Sequence, residues 1–248
     1  GFKVSCILAG DCEHGYLGSL PEHHPDRCEV ILEKLGFSNC SLVETQELER
    51  GIYPKYGHIV LGAYEKAIFF GEQDIASNYF EKHDDQLLNK ALKLYPEGKL
   101  LIACLISTVG FYGYAYFEKG ELIRAHVGGP DGVNLDEGVV QPEEEKIFEG
   151  SFIRDGVRYW PDEDEHSGSE SENTIDVYGE SLTFAMMTKF LKYSLEEAVD
   201  ESVDPFIHLQ MDLFKNNDVD WEKFNALRNR AKATKTVEKK TFWQKLFG

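Results

Sequence analysis

The sequence has no apolar run near the roughly 20 residues needed to cross a bilayer, and its N-terminus lacks the basic, apolar and small-residue regions of a secretory signal. It is also short of basic residues, with 26 Lys and Arg against 44 Asp and Glu. The resulting net charge of −18 repels phosphate backbones at long range, which argues against a nucleic-acid partner. Its five cysteines (Cys6, Cys12, Cys28, Cys40, Cys104) are odd in number and partly within apolar segments, a usage that suits reduced thiols better than a disulfide frame. These absences predict a soluble cytoplasmic protein. The nucleophile elbow G-x-S-x-G, the zinc helix H-E-x-x-H and the phosphate loop ending in Gly-Lys-Ser/Thr are all missing, which disfavours enzymes that use those machineries.

What is present suffices for a sizeable core, since 42% of the 248 residues are hydrophobic. The alternation of residues 2–9 predicts a first strand. Pro25 followed by Cys28, Ile31, Leu32 and Leu35 predicts a helix that ends at Gly36. Two short strands are expected over 58–72 and a helix over 85–95, with Asp84 placed to cap it. Residues 99–129 combine a continuous apolar strand with a hairpin turning at Glu118-Lys119-Gly120, the expected centre of the sheet. SFIRDGVRYW (151–160) repeats the hairpin signal, the acidic stretch 161–173 reads as a loop, and the period becomes helical from Gly179. Ser194 with Glu197 and Asp204-Pro205 read as helix openings, so the C-terminal third is expected to be mostly helical. The predicted fold class is α+β: one domain over residues 1–217 with a mixed, hairpin-rich sheet packed by helices, and a helical tail over 218–248.

Residues 6–28 crowd three cysteines and three histidines into one stretch. Cys12-x-His14 is poorly spaced for one tetrahedral ion, adjacent His23 and His24 tend to point apart, and Cys6 and Cys28 suit packing positions on a strand and a helix. No metal and no cofactor is assigned. Acids at alternate positions in 162–168 lack the glycine and the final glutamate of a calcium loop. Tyr112, Tyr114 and Tyr116 share one face of a strand and are read as sheet packing, because the surrounding charge has the wrong sign for RNA.

Two features stand as candidate sites. Asp11 follows the first strand, where binding residues often lie; Arg124 and His126, two apart on a strand, share a face, with Asp131 in the next turn. Together they define a possible small-ligand or nonstandard catalytic site, although a surface Arg on the polar side of a hairpin is the simpler account of Arg124. The second feature is the tail. Residues 219–248 hold eight Lys or Arg against three Asp or Glu, leaving 18 basic and 41 acidic residues, a net −23, in the rest. Trp221, Phe224 and Leu227 fall on one helical stripe, and Phe242, Trp243, Leu246 and Phe247 on another. Such aromatics need burial, and the oppositely charged body favours docking of the tail in cis or on a second copy. A protein partner or a membrane surface are the other possible occupants. The leading functional expectation is a noncatalytic interaction protein with an acidic surface; the alternative is the enzyme with a site near Asp11 and the Arg124/His126 strand.

The opening GFKV, AGD at 9–11, Tyr53-Pro54, YAYFEKGELIR (114–124), GPDG (129–132) and Gly179-Glu180 resemble an uncharacterised bacterial family, a domain of unknown function common in actinomycetes. The resemblance covers about residues 1–200. It implies a shared fold and a cytoplasmic setting, and no activity.

Overall fold

The structure, a computed structural model, describes residues 3–75, 77–129, 132–155, 157–161, 172–195 and 208–222. In chain order the elements are β1 (Lys3–Gly10), α1 (Pro25–Leu35), β2 (Cys40–Glu47), α2 (Leu48–Gly51), β3 (His58–Ala63), β4 (Ala67–Glu72), α3 (Gln86–Leu94), β5 (Lys99–Ile106), β6 (Phe111–Glu118) and β7 (Glu121–Gly129). There follow β8 (Gly132–Gly138), α4 (Pro142–Glu149), β9 (Phe152–Arg154), β10 (Val157–Pro161), β11 (Glu172–Thr174), α5 (Ile175–Leu191) and β12 (Gln210–Asn216).

Nine strands form one sheet in the order β2-β12-β3-β4-β1-β5-β6-β7-β8. Every pairing in it is antiparallel, so the expected mixed sheet is corrected to a wholly antiparallel one within an α+β fold. Tight turns make this possible: Lys119 and Gly120 both adopt positive φ between β6 and β7, as the hairpin reading requires. A smaller sheet, β11-β10-β9, contains the second hairpin, with Asp155 at φ 53°.

Helices cover both faces, because the central strands are apolar on both. On one face Ile31 and Leu35 of α1 and Leu88 and Ala91 of α3 pack on Ile7, Leu61, Phe70 and Ile102. On the other, Leu182, Met186 and Phe190 of α5 pack on Leu8, Leu101 and the three tyrosines of β6. Each side chain of this size stabilises the fold by about 1.5–3 kcal/mol on full burial. The Tyr112/Tyr114/Tyr116 stripe is thus core, each ring no more than 1% exposed. Pro25 opens α1 and Gly36 at φ 97° closes it, as the pattern predicts. Asp84 accepts a hydrogen bond from the Gln86 N–H at the start of α3.

The C-terminal third, expected to be mostly helical, also contributes a strand to the main sheet. Gln210–Asn216 is a strand inserted between β2 and β3, and α5 begins at Ile175, before Gly179. The stretch 161–173 expected as a loop is corrected at its ends, where Pro161 belongs to β10 and Glu172 and Asn173 to β11; residues 162–171, the helix openings expected at Glu197 and Asp204-Pro205 and the tail beyond Glu222 lie outside the described residues. Among the described residues, no helix is long and apolar enough to cross a membrane.

Candidate functional site

Arg124 and His126 do share a face of β7, but that face is covered by α4 and α5. Arg124 is 1% exposed, which overturns its reading as a surface residue. Its Nε donates to both carboxylate oxygens of Glu144, at 3.0 and 3.1 Å. One terminal nitrogen, Nη1, pairs with Asp136 and donates to the Glu137 carbonyl at 3.2 Å; the other, Nη2, is buried without a hydrogen-bond partner. Glu144 is fully buried and also accepts from the Tyr114 hydroxyl and, at 2.7 Å, from the Gln141 N–H. That last bond is half of a capping box, so the carboxylate that neutralises Arg124 also fixes the start of α4.

His126 is equally enclosed. Its ring stacks on Tyr112 and Tyr114 at centroid distances of 5.6 and 5.9 Å, and Nδ1 lies 3.2 Å from the Tyr112 hydroxyl. Burial pushes its pKa down to about 4; Asp136, whose Oδ2 lies 4.0 Å from Nε2, opposes this, while Arg124 and Arg158 add to it. A neutral imidazole and a guanidinium already held by carboxylates present no charge to an external anion. This network locks α4 to the sheet.

The remaining members of the expected ligand site do not join it. Asp11 is exposed after β1, and β5 and β6 separate β1 from β7, three strand spacings of about 4.8 Å each. Asp131 lies outside the described residues. The residues that Arg124 does engage, Glu144 and Asp136, were missed by sequence reasoning. Gln141-Pro142-x-Glu144 was a usable signal for Glu144, whereas Asp136 had none.

In the opening stretch, Cys12 is buried and the exposed His14 turns to Glu143 at 3.3 Å, so the two do not form a common site. All five cysteines are free thiols. Burial raises the pKa of Cys12 to about 11 and pushes those of Cys6 and Cys104 up further, which makes them inert packing groups.

The tail's first aromatic can be placed. Trp221 sits against the start of β3, its ring centroid 6.3 Å from Tyr56 and 6.0 Å from His58, both edge-on, with Lys215 Nζ 5.8 Å from it. Just before it, Asp218 accepts a hydrogen bond from Asn39 at 2.7 Å, and Asn217 donates to Ser41 at 2.8 Å. These contacts hold Trp221 at the start of β3 and residues 217 and 218 at the start of β2. That strand is an edge of the sheet, with Leu42 59% and Val43 52% exposed and the acids Glu44 and Glu47 along it. Phe224, Leu227, Phe242, Trp243, Leu246 and Phe247 lie outside the described residues.

Residues 6–169 match the model described as "Family of unknown function (DUF6928)", and the chain belongs to that family. No curated protein and no solved structure matches it.

Proposed function

We propose that this member of a family of unknown function is a noncatalytic cytoplasmic interaction protein whose acidic body binds its own basic aromatic C-terminal segment, in cis or from a second copy, along β2. The observation that carries the reading is that Asp218 and Asn217, which lead into the tail, are hydrogen-bonded to Asn39 and Ser41 at the start of β2, an edge of the sheet among the described residues. An edge strand offers unpaired backbone groups and invites a covering segment. In this reading Leu42 and Val43 would offer apolar contact to Phe242, Trp243, Leu246 and Phe247, and Glu44 and Glu47 would complement the neighbouring lysines. The free thiols are consistent with a reducing compartment. The interaction reading is preferred to an enzyme using Asp11 with Arg124 and His126 because Asp11 lies three strands away from that pair.

The test compares the full chain with a variant lacking residues 236–248 by light scattering and amide hydrogen exchange. Loss of a dimer, or faster exchange confined to β2, is the expected result, with the helical and strand signals of the body retained. Identical mass and identical β2 exchange in the two proteins would reject the reading.

A further inference from the structure

Three side chains of matched chemistry meet where α1 lies over β12, apart from the buried Arg124 network. His23 precedes α1, Cys28 faces inward from its first turns, and Asp212 projects from β12 towards the helix. One donor atom from each lies within 4.8 Å of the other two, and His23 Nε2 is 3.3 Å from Asp212 Oδ2. The side chains of His23 and Asp212 are 5% and 2% exposed, and Cys28 is fully buried.

Groups behind the cluster orient it. Thr45 donates to Asp212 Oδ1 at 2.7 Å, which leaves Oδ2 towards His23. His23 Nδ1 lies 3.2 Å from both the carbonyl oxygen and the N–H nitrogen of Ala63, so the Ala63 backbone fixes the ring; in the tautomer that donates to the carbonyl, Nε2 carries a lone pair. This backing by a hydroxyl and a carbonyl is the usual second layer of a metal site. A plain His–Asp pair leaves one fact unexplained: despite its proximity to the carboxylate, Nε2 is buried without a hydrogen-bond partner. A cation among Nε2, Oδ2 and Sγ would give Nε2 the partner it lacks.

The dimensions fit. Bonds of about 2.0–2.3 Å to a tetrahedral zinc place neighbouring ligand atoms about 3.3–3.8 Å apart, so movements of about 1 Å would close the cluster. A mixed imidazole, thiolate and carboxylate set suits zinc and similar ions, whereas magnesium and calcium require oxygen ligands. Cys28 and Asp212 also line a cleft of about 560 Å³ between α1 and the β2/β12 strands, with Glu29, Glu33 and Cys40 around it. The geometry points to a zinc-type divalent metal site built from His23 Nε2, Cys28 Sγ and Asp212 Oδ2, with its fourth position open to this cleft. Binding replaces the Cys28 S–H bond with a sulfur–metal bond and releases the proton to solvent. The sequence analysis assigned no metal because it set His23 apart from His24 and read Cys28 as packing; Asp212, distant in the chain, supplies the ligand that joins them.

The test uses the full chain after chelator treatment, titrated separately with zinc chloride and cobalt chloride. One equivalent of zinc should bind, and cobalt should give a near-ultraviolet thiolate-to-metal band together with tetrahedral visible absorption. Cys28→Ser should abolish the thiolate band, Asp212→Asn should weaken zinc binding, and Thr45→Val should weaken it about 10-fold through loss of the supporting hydroxyl. Cys12→Ser and Cys40→Ser should leave the band in place. Absence of stoichiometric zinc binding, or of the band, in the unmodified protein would overturn the site, with no variant needed; so would a band that survives in folded Cys28→Ser.

Discussion

Arg124 and Glu144, twenty residues apart in sequence, form a two-point ion pair in which neither side chain is more than 1% exposed. One end of the pair lies in the β6–β7–β8 sheet corner and the other at the opening of α4. A buried pair of this kind adds little net stability over an apolar replacement, but losing one member strands a charge.

Glu144→Gln should therefore destabilise the protein by about 1–3 kcal/mol, because Arg124 keeps its charge with only the half-exposed Asp136 left to balance it. Arg124→Met with Glu144→Gln should recover much of that loss. Urea unfolding of the wild type, both single variants and the double variant gives the coupling energy directly. Additive losses would show that the pair does not act as a unit.

His126 makes stability depend on pH in a defined direction. Its folded pKa of about 4 lies below the ordinary value near 6.5, so between these limits the unfolded chain takes up a proton that the folded one refuses. Stability should rise as pH increases from 4 to 6.5, be complete above that, and fall away on acidification. The contribution is on the order of 3 kcal/mol across the window. His126→Gln should flatten this part of the profile, measured by urea midpoints at several pH values. Parallel profiles would assign the acid sensitivity to other groups.

Gly179→Ala tests the seating of α5. A methyl group there would overlap the Tyr112 ring, which is fully buried and stacked on His126. Alanine gains about 1 kcal/mol in helix propensity, but overpacking a ring that cannot move costs about 1–3 kcal/mol. The balance should be a lower melting temperature, read by circular dichroism. An unchanged or raised melting temperature would mean that α5 shifts freely.

Local signals were legible and long-range ones were not. Pro25 and Gly36 mark the ends of α1, and Lys119-Gly120 marks the β6–β7 turn, because capping and positive φ are set by neighbouring residues. Four strands, β2, β8, β11 and β12, escaped detection. In β2 most residues are exposed, so no alternation survives; in β12 a buried Asp212 interrupts the apolar row, and its partners Thr45 and His23 are far away in the chain. The same holds for Glu144, which lies in a run of three glutamates that reads as a solvated helix start. Arg124 selects one of the three for burial, and a one-dimensional pattern does not show which. The enclosure of Arg124 and His126 was hidden for the same reason: shared placement on a strand face is local, but the covering of that face by α4 and α5 is not.

The position of β12 bears on how the molecule is made. During synthesis β2 emerges from the ribosome long before its neighbour, and the gap between β2 and β3 is closed only when residues 210–216 arrive. Until then the nascent chain carries two open seams in place of one, and a fragment that stops at residue 169, where the family match ends, would keep them. Strand β12 acts as a closing stitch, so completion of the sheet waits on residues far along the chain from β2 and β3.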